Sequence, residues 1–212
     1  MAKRDKTFSD QLIIFTRYPE PGKTKTRLIP VLGPEGAADL HRRMVEHTMT
    51  WAGLLQSHSP VSVEVQYEGG DENLFRQWLG PDFSCRDQGM GDLGRRMARA
   101  IAEAFQAGRE RVILVGTDCP GLTRVLVQSA FGELVSNDLV LGPANDGGYY
   151  LIGLRRVIPQ LFNTIPWGTS EVLEKTLRIA DKMQLRVFLL ETLDDVDRPE
   201  DLPVWEQEKD RK

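Results

Sequence analysis

Cysteine is nearly missing from this 212-residue chain: Cys85 and Cys119 are the only two, and neither belongs to a Cys-x-x-Cys or Cys/His cluster. A disulfide framework and a cysteine-built zinc centre are therefore excluded, and both residues are expected to be free thiols. Long apolar runs are missing too. No segment approaches the ~20 apolar residues needed to span a bilayer, and the polar segment 1–10 has no secretory-signal core. A cytoplasmic location is the expectation. Nor is there an excess of positive charge, since 27 Lys and Arg against 31 Asp and Glu leave a net charge of -4. That balance argues against nucleic acid as a partner while leaving room for a local basic patch that meets a small anion. No linker or composition shift divides the chain, so one domain is expected over residues 1–212, with 1–10 a flexible N-terminus and 206–212 a frayed C-terminus.

What the sequence does contain is an alternation of strand and helix signals. Residues 11–16 form an apolar run ending in a proline-containing loop. Leu40, Met44, Thr48, Trp51 and Leu55 then recur every three or four positions, as on the core face of a helix that starts near Pro34. Strands are expected at 61–67, around Phe83, and at 111–116, 138–143, 149–154 and 185–190. Helices are expected at 71–79, from Leu93 to a stop at Gly108, at 123–135, at 170–182, and briefly from Pro199. This order predicts an α/β fold, a mostly parallel sheet with helices on both faces. Ligands of such sheets bind beyond the carboxyl ends of the strands. Those ends lie at 17–27, 116–121, 145–148 and 194–197, where the unusual residues also concentrate.

The first of these segments runs Pro21-Gly22-Lys23-Thr24-Lys25-Thr26-Arg27-Leu28. Three cations at alternate positions of an extended loop would project to one side, and Gly22 would let a ligand approach the backbone closely. A di- or triphosphate suits them, with Arg17 at the strand end nearby. Gly22-Lys23-Thr24 also matches the second half of an NTPase phosphate loop, but Arg17 stands where the first glycine belongs and two prolines hinder wrapping. A solvated basic loop is the third reading. Gly89-Met90-Gly91-Asp92-Leu93-Gly94 satisfies the dinucleotide fingerprint Gly-x-Gly-x-x-Gly, although Asp92 would put a carboxylate where a pyrophosphate rests. The other readings are a turn in which Asp92 caps the helix, or a nucleotide-base pocket that includes Gln88.

Asp118 follows an apolar strand and precedes Cys119-Pro120-Gly121, with Thr117 beside it. A carboxylate held at a strand terminus suits Mg2+ or Mn2+, which prefer carboxylate oxygens and bridge them to substrate phosphates; a helix N-cap is the alternative. Five carboxylates crowd Asp194-Asp195-Val196-Asp197-Arg198-Pro199-Glu200-Asp201-Leu202. Pro199 fits the first helical position with Glu200 and Asp201 in the first turn, leaving Asp195 and Asp197 to point elsewhere.

Together these residues resemble the nucleotide-diphospho-sugar transferase superfamily, the glycosyltransferase-A fold. Its nucleotidyl-transferring branch closes on Asp-Val-Asp-Thr-Pro-Glu-Asp-Leu, which residues 195–202 match except for Arg198. The resemblance implies that Asp197 and Asp118 share a metal and that the loop from Gly22 to Arg27 holds nucleotide phosphates. Residues 15–28, 88–97, 116–120 and 142–150 resemble more closely the recurring blocks of a bacterial family labelled arsenosugar-biosynthesis glycosyltransferase, formerly a domain of unknown function. That family implies a nucleotide-linked donor.

The expected chemistry is metal-dependent glycosyl transfer from a nucleotide sugar to a small-molecule acceptor. Asp118 would act on the diphosphate, and Asp146, in the turn Asn145-Asp146-Gly147-Gly148, would be a general base or acceptor contact. Asn-Asp-Gly-Gly is also strong turn chemistry in its own right. Trp167 would stack on a sugar or anchor the next helix. The alternative is nucleotidyl transfer from an NTP to a phosphorylated small molecule with release of pyrophosphate. A noncatalytic nucleotide-binding regulator is the remaining reading.

Overall fold

Fully buried Leu12, Ile13 and Ile14 leave the first strand, β1 (Asp10–Arg17), no face for solvent, which is the signature of a strand covered on both sides. In the computed structural model, which describes residues 9–209, β1 lies inside a seven-stranded sheet of order β3-β2-β1-β4-β6-β5-β7. The other strands are β2 (Val61–Glu68), β3 (Ser84–Asp87), β4 (Arg111–Val115), β5 (Leu139–Pro143), β6 (Tyr149–Leu154) and β7 (Val187–Leu189). Most neighbours run parallel: β1 with β2 and β4, β2 with β3, and β5 with β7. The exception is β6, antiparallel to both β4 and β5. Only residues 144–148 join β5 to β6, far short of the dozen or more a parallel crossover requires, so this reversal follows from chain length. Its consequence is that the β5–β6 turn emerges at the carboxyl edge of β1 and β4.

Helices cover both faces. Side chains of α1 (Ile29–His58), α2 (Glu72–Leu79) and α4 (Arg124–Glu133) pack on one face with Leu12, Ile14 and Val65. Those of α3 (Leu93–Gln106) and α5 (Val172–Lys182) pack on the other with Ile13, Phe15 and Leu114. A smaller cluster ties α1 to the closing helix α6 (Leu202–Lys209) through Leu40, Met44, Val196 and Trp205. That cluster brings the C-terminal segment back to the N-terminal loop. No helix among the described residues is long and apolar enough to cross a membrane.

Several boundaries differ from the pattern. A short helical piece precedes Pro34, and Gly33, at φ 71, breaks α1 between the two pieces. Asp10 begins β1 and Glu206 lies within α6, so the expected flexible ends overlap ordered elements; residues 1–8 and 210–212 lie outside the described residues. The strand expected at 185–190 shortens to β7, a half-exposed edge.

Candidate functional site

Four segments meet at the carboxyl edge of the sheet: the loop after β1, the loop after β4, the β5–β6 turn and the stretch after β7. They enclose a cleft of about 520 Å³. At its charged end the loop after β1 does not run extended. Thr24 Oγ1 accepts the Glu20 N–H at 3.1 Å and lies at the same distance from the Tyr18 and Glu20 carbonyls, closing a tight turn. The next residue, Lys25, takes the left-handed conformation (φ 48, ψ 46), and residues 26–28 form a single 3-10 turn. A non-glycine residue there costs roughly 1–2 kcal/mol, which surrounding contacts must offset.

Those contacts are ionic. Lys25 Nζ donates to the Val196 carbonyl at 2.6 Å and to Asp118 Oδ1 at 2.7 Å, and stands 3.9 Å from Asp197 Oδ1, with only 4% of the side chain exposed. A buried ammonium is tolerated because it is surrounded by oxygens. Asp118 itself is exposed and lines the cleft. Desolvation is the largest single influence and would raise its pKa; the Lys25 charge and hydrogen bond, with the neighbouring His41 and Arg17, together outweigh it and hold the carboxyl below the usual carboxylate range. Arg27 pairs with Asp197 Oδ2, while Asp201 Oδ2 accepts the N–H groups of Asp197 and Arg198 at 3.0 and 2.7 Å and fixes the turn into the last helix.

Beside this cluster, Glu68 accepts from Arg17 at 2.7 Å and from Arg96 at 3.1 Å. The Arg17 hydrogen bond is the main reason its carboxyl sits low. Gln88 is spent internally: its amide N–H groups bond the Thr16 and Gln66 carbonyls at 3.1 and 3.0 Å, and its oxygen accepts from Arg96 at 2.9 Å. His41, 4% exposed, bonds the Arg17 carbonyl through Nε2 at 3.0 Å. Burial pulls its pKa down, and its carbonyl partner, which can only accept, requires the proton on Nε2. Thr117 Oγ1 faces Thr16 Oγ1 at 3.5 Å.

The opposite wall is made of turns. Asp146 Oδ1 accepts the Gly148 N–H at 2.7 Å, and Gly147 sits at φ 87 with its α-carbon against the Ser170 backbone. Trp167 stands edge-on to Tyr149, 6.2 Å between ring centres, over Gly94 of α3. Asp195 also lines the cleft. Burial, then the nearby Asp146 charge, push its pKa up to about 6.

Arg17, Lys25, Gln88, Thr117, Asp118, Asp146, Trp167 and Asp197 thus share one cleft. Gly22 and Lys23 do not line it: Lys23 points to solvent and pairs with Glu20 at 2.8 Å, and a Cβ on Gly22 would meet open space. The expectation of cations projecting together from an extended loop is therefore corrected, because the Thr24 clamp turns successive side chains in different directions. Arg27 reaches only the rim, through Asp197. Asp92 caps α3 by accepting the Arg95 N–H at 2.8 Å, so the turn reading of residues 89–94 holds. The sequence reading missed His41, Glu68 and Arg96. Arg96 did carry a signal, since a cation in the first turn of a helix opposes its dipole.

Asp118 and Asp197 come from remote segments and both face one ammonium, which is the fit a divalent cation would need from the protein: hard oxygens on one side, with substrate oxygens to complete the shell. No cluster of three or more His, Cys, Asp or Glu side chains set to hold a metal exists among the described residues.

Among solved structures, a Desulfovibrio desulfuricans G20 protein assigned as a nucleotide-diphospho-sugar transferase is 37% identical, with a TM-score of 0.84 over 90% of this chain and 83% of that one. CMP:2-keto-3-deoxy-manno-octonic acid synthetase in complex with CTP is 13% identical, TM-score 0.56, over 96% and 98% of the two chains. Rv0371C from Mycobacterium tuberculosis H37Rv in complex with manganese is 12% identical, TM-score 0.54, over 92% and 96%. At such identities the last two share the fold alone. Curated proteins offer no match. Residues 51–169, more than half of the chain, match the family described as an uncharacterized protein conserved in bacteria (DUF2064), and the chain belongs to that family, on the fold of the nucleotide-diphospho-sugar transferases.

Proposed function

We propose that the protein is a glycosyltransferase that moves a sugar from a nucleotide-diphosphate donor to a small-molecule acceptor, with Mg2+ or Mn2+ held by Asp118 and Asp197. The observation that carries this reading is the Lys25 ammonium set among Asp118, Asp197 and the Val196 carbonyl at the strand ends. Three remote segments have converged there on a position for positive charge, in a cleft large enough for a nucleotide. A bound divalent cation would neutralise the diphosphate as it leaves the sugar.

The chain's own groups have distinct tasks. Asp118, kept ionised by Lys25, is a ligand at any pH near neutrality. Thr117 and the guanidinium groups of Arg17 and Arg96 line the nucleotide side. The Gln88 side-chain amide latches the Thr16 and Gln66 carbonyls and fixes the ends of β1 and β2, so Gln88 shapes the pocket by holding its strands rather than by contacting a ligand. On the opposite wall Asp146 is the proposed acceptor contact and Trp167 the apolar surface for a sugar ring.

The loop favours a diphosphate donor over an NTP. Nucleotidyl transfer needs cations around the α-phosphorus and a triphosphate cradle, whereas Lys23 points to solvent, Arg27 reaches only the rim, and Lys25 alone of the three lines the cleft. The test is to supply nucleotide sugars and NTPs, with Mg2+ or Mn2+ and a pool of small hydroxyl-bearing acceptors, and to identify the phosphate product. A nucleoside diphosphate from a sugar donor is expected. Pyrophosphate from an NTP would replace this reading with nucleotidyl transfer.

A further inference from the structure

Lys25 has three features that a simple phosphate contact does not need. Its backbone is left-handed, its side chain is 4% exposed, and its ammonium is held by three oxygens: Val196 O at 2.6 Å, Asp118 Oδ1 at 2.7 Å and Asp197 Oδ1 at 3.9 Å. Two carboxylates and one carbonyl are also the oxygen types that hard divalent cations take from proteins. An ammonium and a divalent cation cannot both be held close among them, since like charges in so small a space repel strongly.

We infer that Lys25 is a built-in counter-ion that occupies the carboxylate pair when no metal is bound and is displaced when a divalent cation enters. The inference rests on the assignment of Asp118 and Asp197 as the metal pair. Without a cation, the ammonium neutralises two acidic groups that would otherwise repel each other, so the site stays assembled. With a cation, the ammonium loses its carboxylate partners. Lys25 already lines the cleft, and a donor's diphosphate is the anion there that can take up its charge. Metal and diphosphate therefore assist each other's binding through one side chain, and by linkage the assistance is reciprocal. Lys25 is a positioning residue for the metal before it is a partner for phosphate.

The exchange is tested without turnover, by measuring Mn2+ binding in the absence of nucleotide. Free Mn2+ is read by its paramagnetic resonance signal for the wild type, Lys25→Met and Lys25→Gln. Removing the competitor is expected to tighten Mn2+ binding by at least about tenfold in both variants, a factor equal to ~1.4 kcal/mol. Equal or weaker binding by the variants would overturn the exchange while leaving the metal pair standing. No Mn2+ binding by any of the three proteins would overturn the metal assignment itself.

A measurement on the wild type serves if the variants do not fold. Lys25 acetylation by an amine-reactive ester, followed by peptide mass spectrometry, is expected to rise at least about fivefold with saturating Mn2+, because an enclosed amine becomes accessible. Unchanged labelling of Lys25 at a Mn2+ concentration shown to saturate the site would refute the displacement.

Discussion

The two walls of the cleft are held in different ways. On the charged wall each group is fixed by a partner far away in sequence: Lys25 bonds Val196 across 171 positions, and Arg27 meets Asp197 across 170. On the opposite wall the contacts that fix Asp146 are local, its own turn and the Gly148 N–H two residues on, while Trp167 is held by packing against Tyr149 and α3. A charged wall assembled this way depends on the whole fold and on each partner's charge. A wall made of turns tolerates changes of side chain so long as its glycines keep their conformation. The first suits an invariant chemical task such as holding a diphosphate, and the second suits a task that varies, such as choosing an acceptor.

The largest effect should come from the centre of the charged wall. Asp118→Asn keeps the shape but removes the charge that pairs with Lys25 and that the proposed metal would need, so turnover should fall about 10²–10³-fold. Stability should drop by only about 1–2 kcal/mol, less than for a fully enclosed pair, because about half of the Asp118 side chain faces the cleft (54% exposed). Steady-state kinetics and urea unfolding read the two effects separately. A stability loss with unchanged turnover would reduce the wall to a structural ion pair.

Gly94→Ala probes how firmly the other wall is packed. A Cβ there would lie 2.3 Å from Trp167 Nε1 and 2.7 Å from the Phe162 carbonyl, and the carbonyl cannot rotate away. Overpacking should outweigh the ~1 kcal/mol gain in helix propensity and leave a net loss of about 1–2 kcal/mol. Tryptophan fluorescence should shift as Trp167 moves. A variant as stable as the wild type would mean that this wall yields easily.

Asp195 lies between the walls and tests their electrostatic separation. Burial and Asp146 raise its folded pKa to about 6, above the ~3.9 of an unfolded chain. A raised carboxyl contributes stability that is complete below the unfolded pKa and is lost as pH rises through the folded one. In metal-free protein, Asp195→Asn should therefore match the wild type at pH ~3, below the unfolded pKa. By about pH 7.5 it should be more stable by about 1 kcal/mol, after discounting for the half-exposed side chain. Unfolding curves at both pH values check the sign; an equal gain at both would assign the effect to shape.

Much of this was legible in advance. The α/β order could be read because strand and helix periods are local properties, and the site edge followed from the strand ends. Asp118 and Asp197 stood out through their positions and through the resemblance. The reversal of β6 was readable from the five-residue connection at 144–148. The fate of the basic loop was not. Alternation of Lys23, Lys25 and Arg27 suggests one shared direction only if the chain is extended, and the Thr24 clamp and the left-handed Lys25 depend on partners that only the folded chain supplies. His41 was hidden for a related reason: it lies next to Leu40 in a helix rich in apolar residues, and only tertiary contact turns its ring toward the Arg17 carbonyl.

The smallest effect should come from the loop's other lysine, and it sharpens the contrast most directly. Lys23 stands two residues before Lys25 and carries the same charge, yet its side chain is 71% exposed and its ion pair with Glu20 is a surface pair. Such pairs contribute roughly 0–1 kcal/mol because solvent screens them and ordering two long side chains costs entropy. Lys23→Ala should change stability by less than about 0.5 kcal/mol. Calorimetric titration with the nucleoside diphosphate in the presence of Mn2+ should give an affinity within about twofold of the wild type, since ~0.4 kcal/mol is the most a screened charge off the cleft would contribute. A tenfold loss would mean that the loop rearranges on binding to bring Lys23 to the phosphates, and the charged wall would then be partly induced by its ligand rather than assembled beforehand.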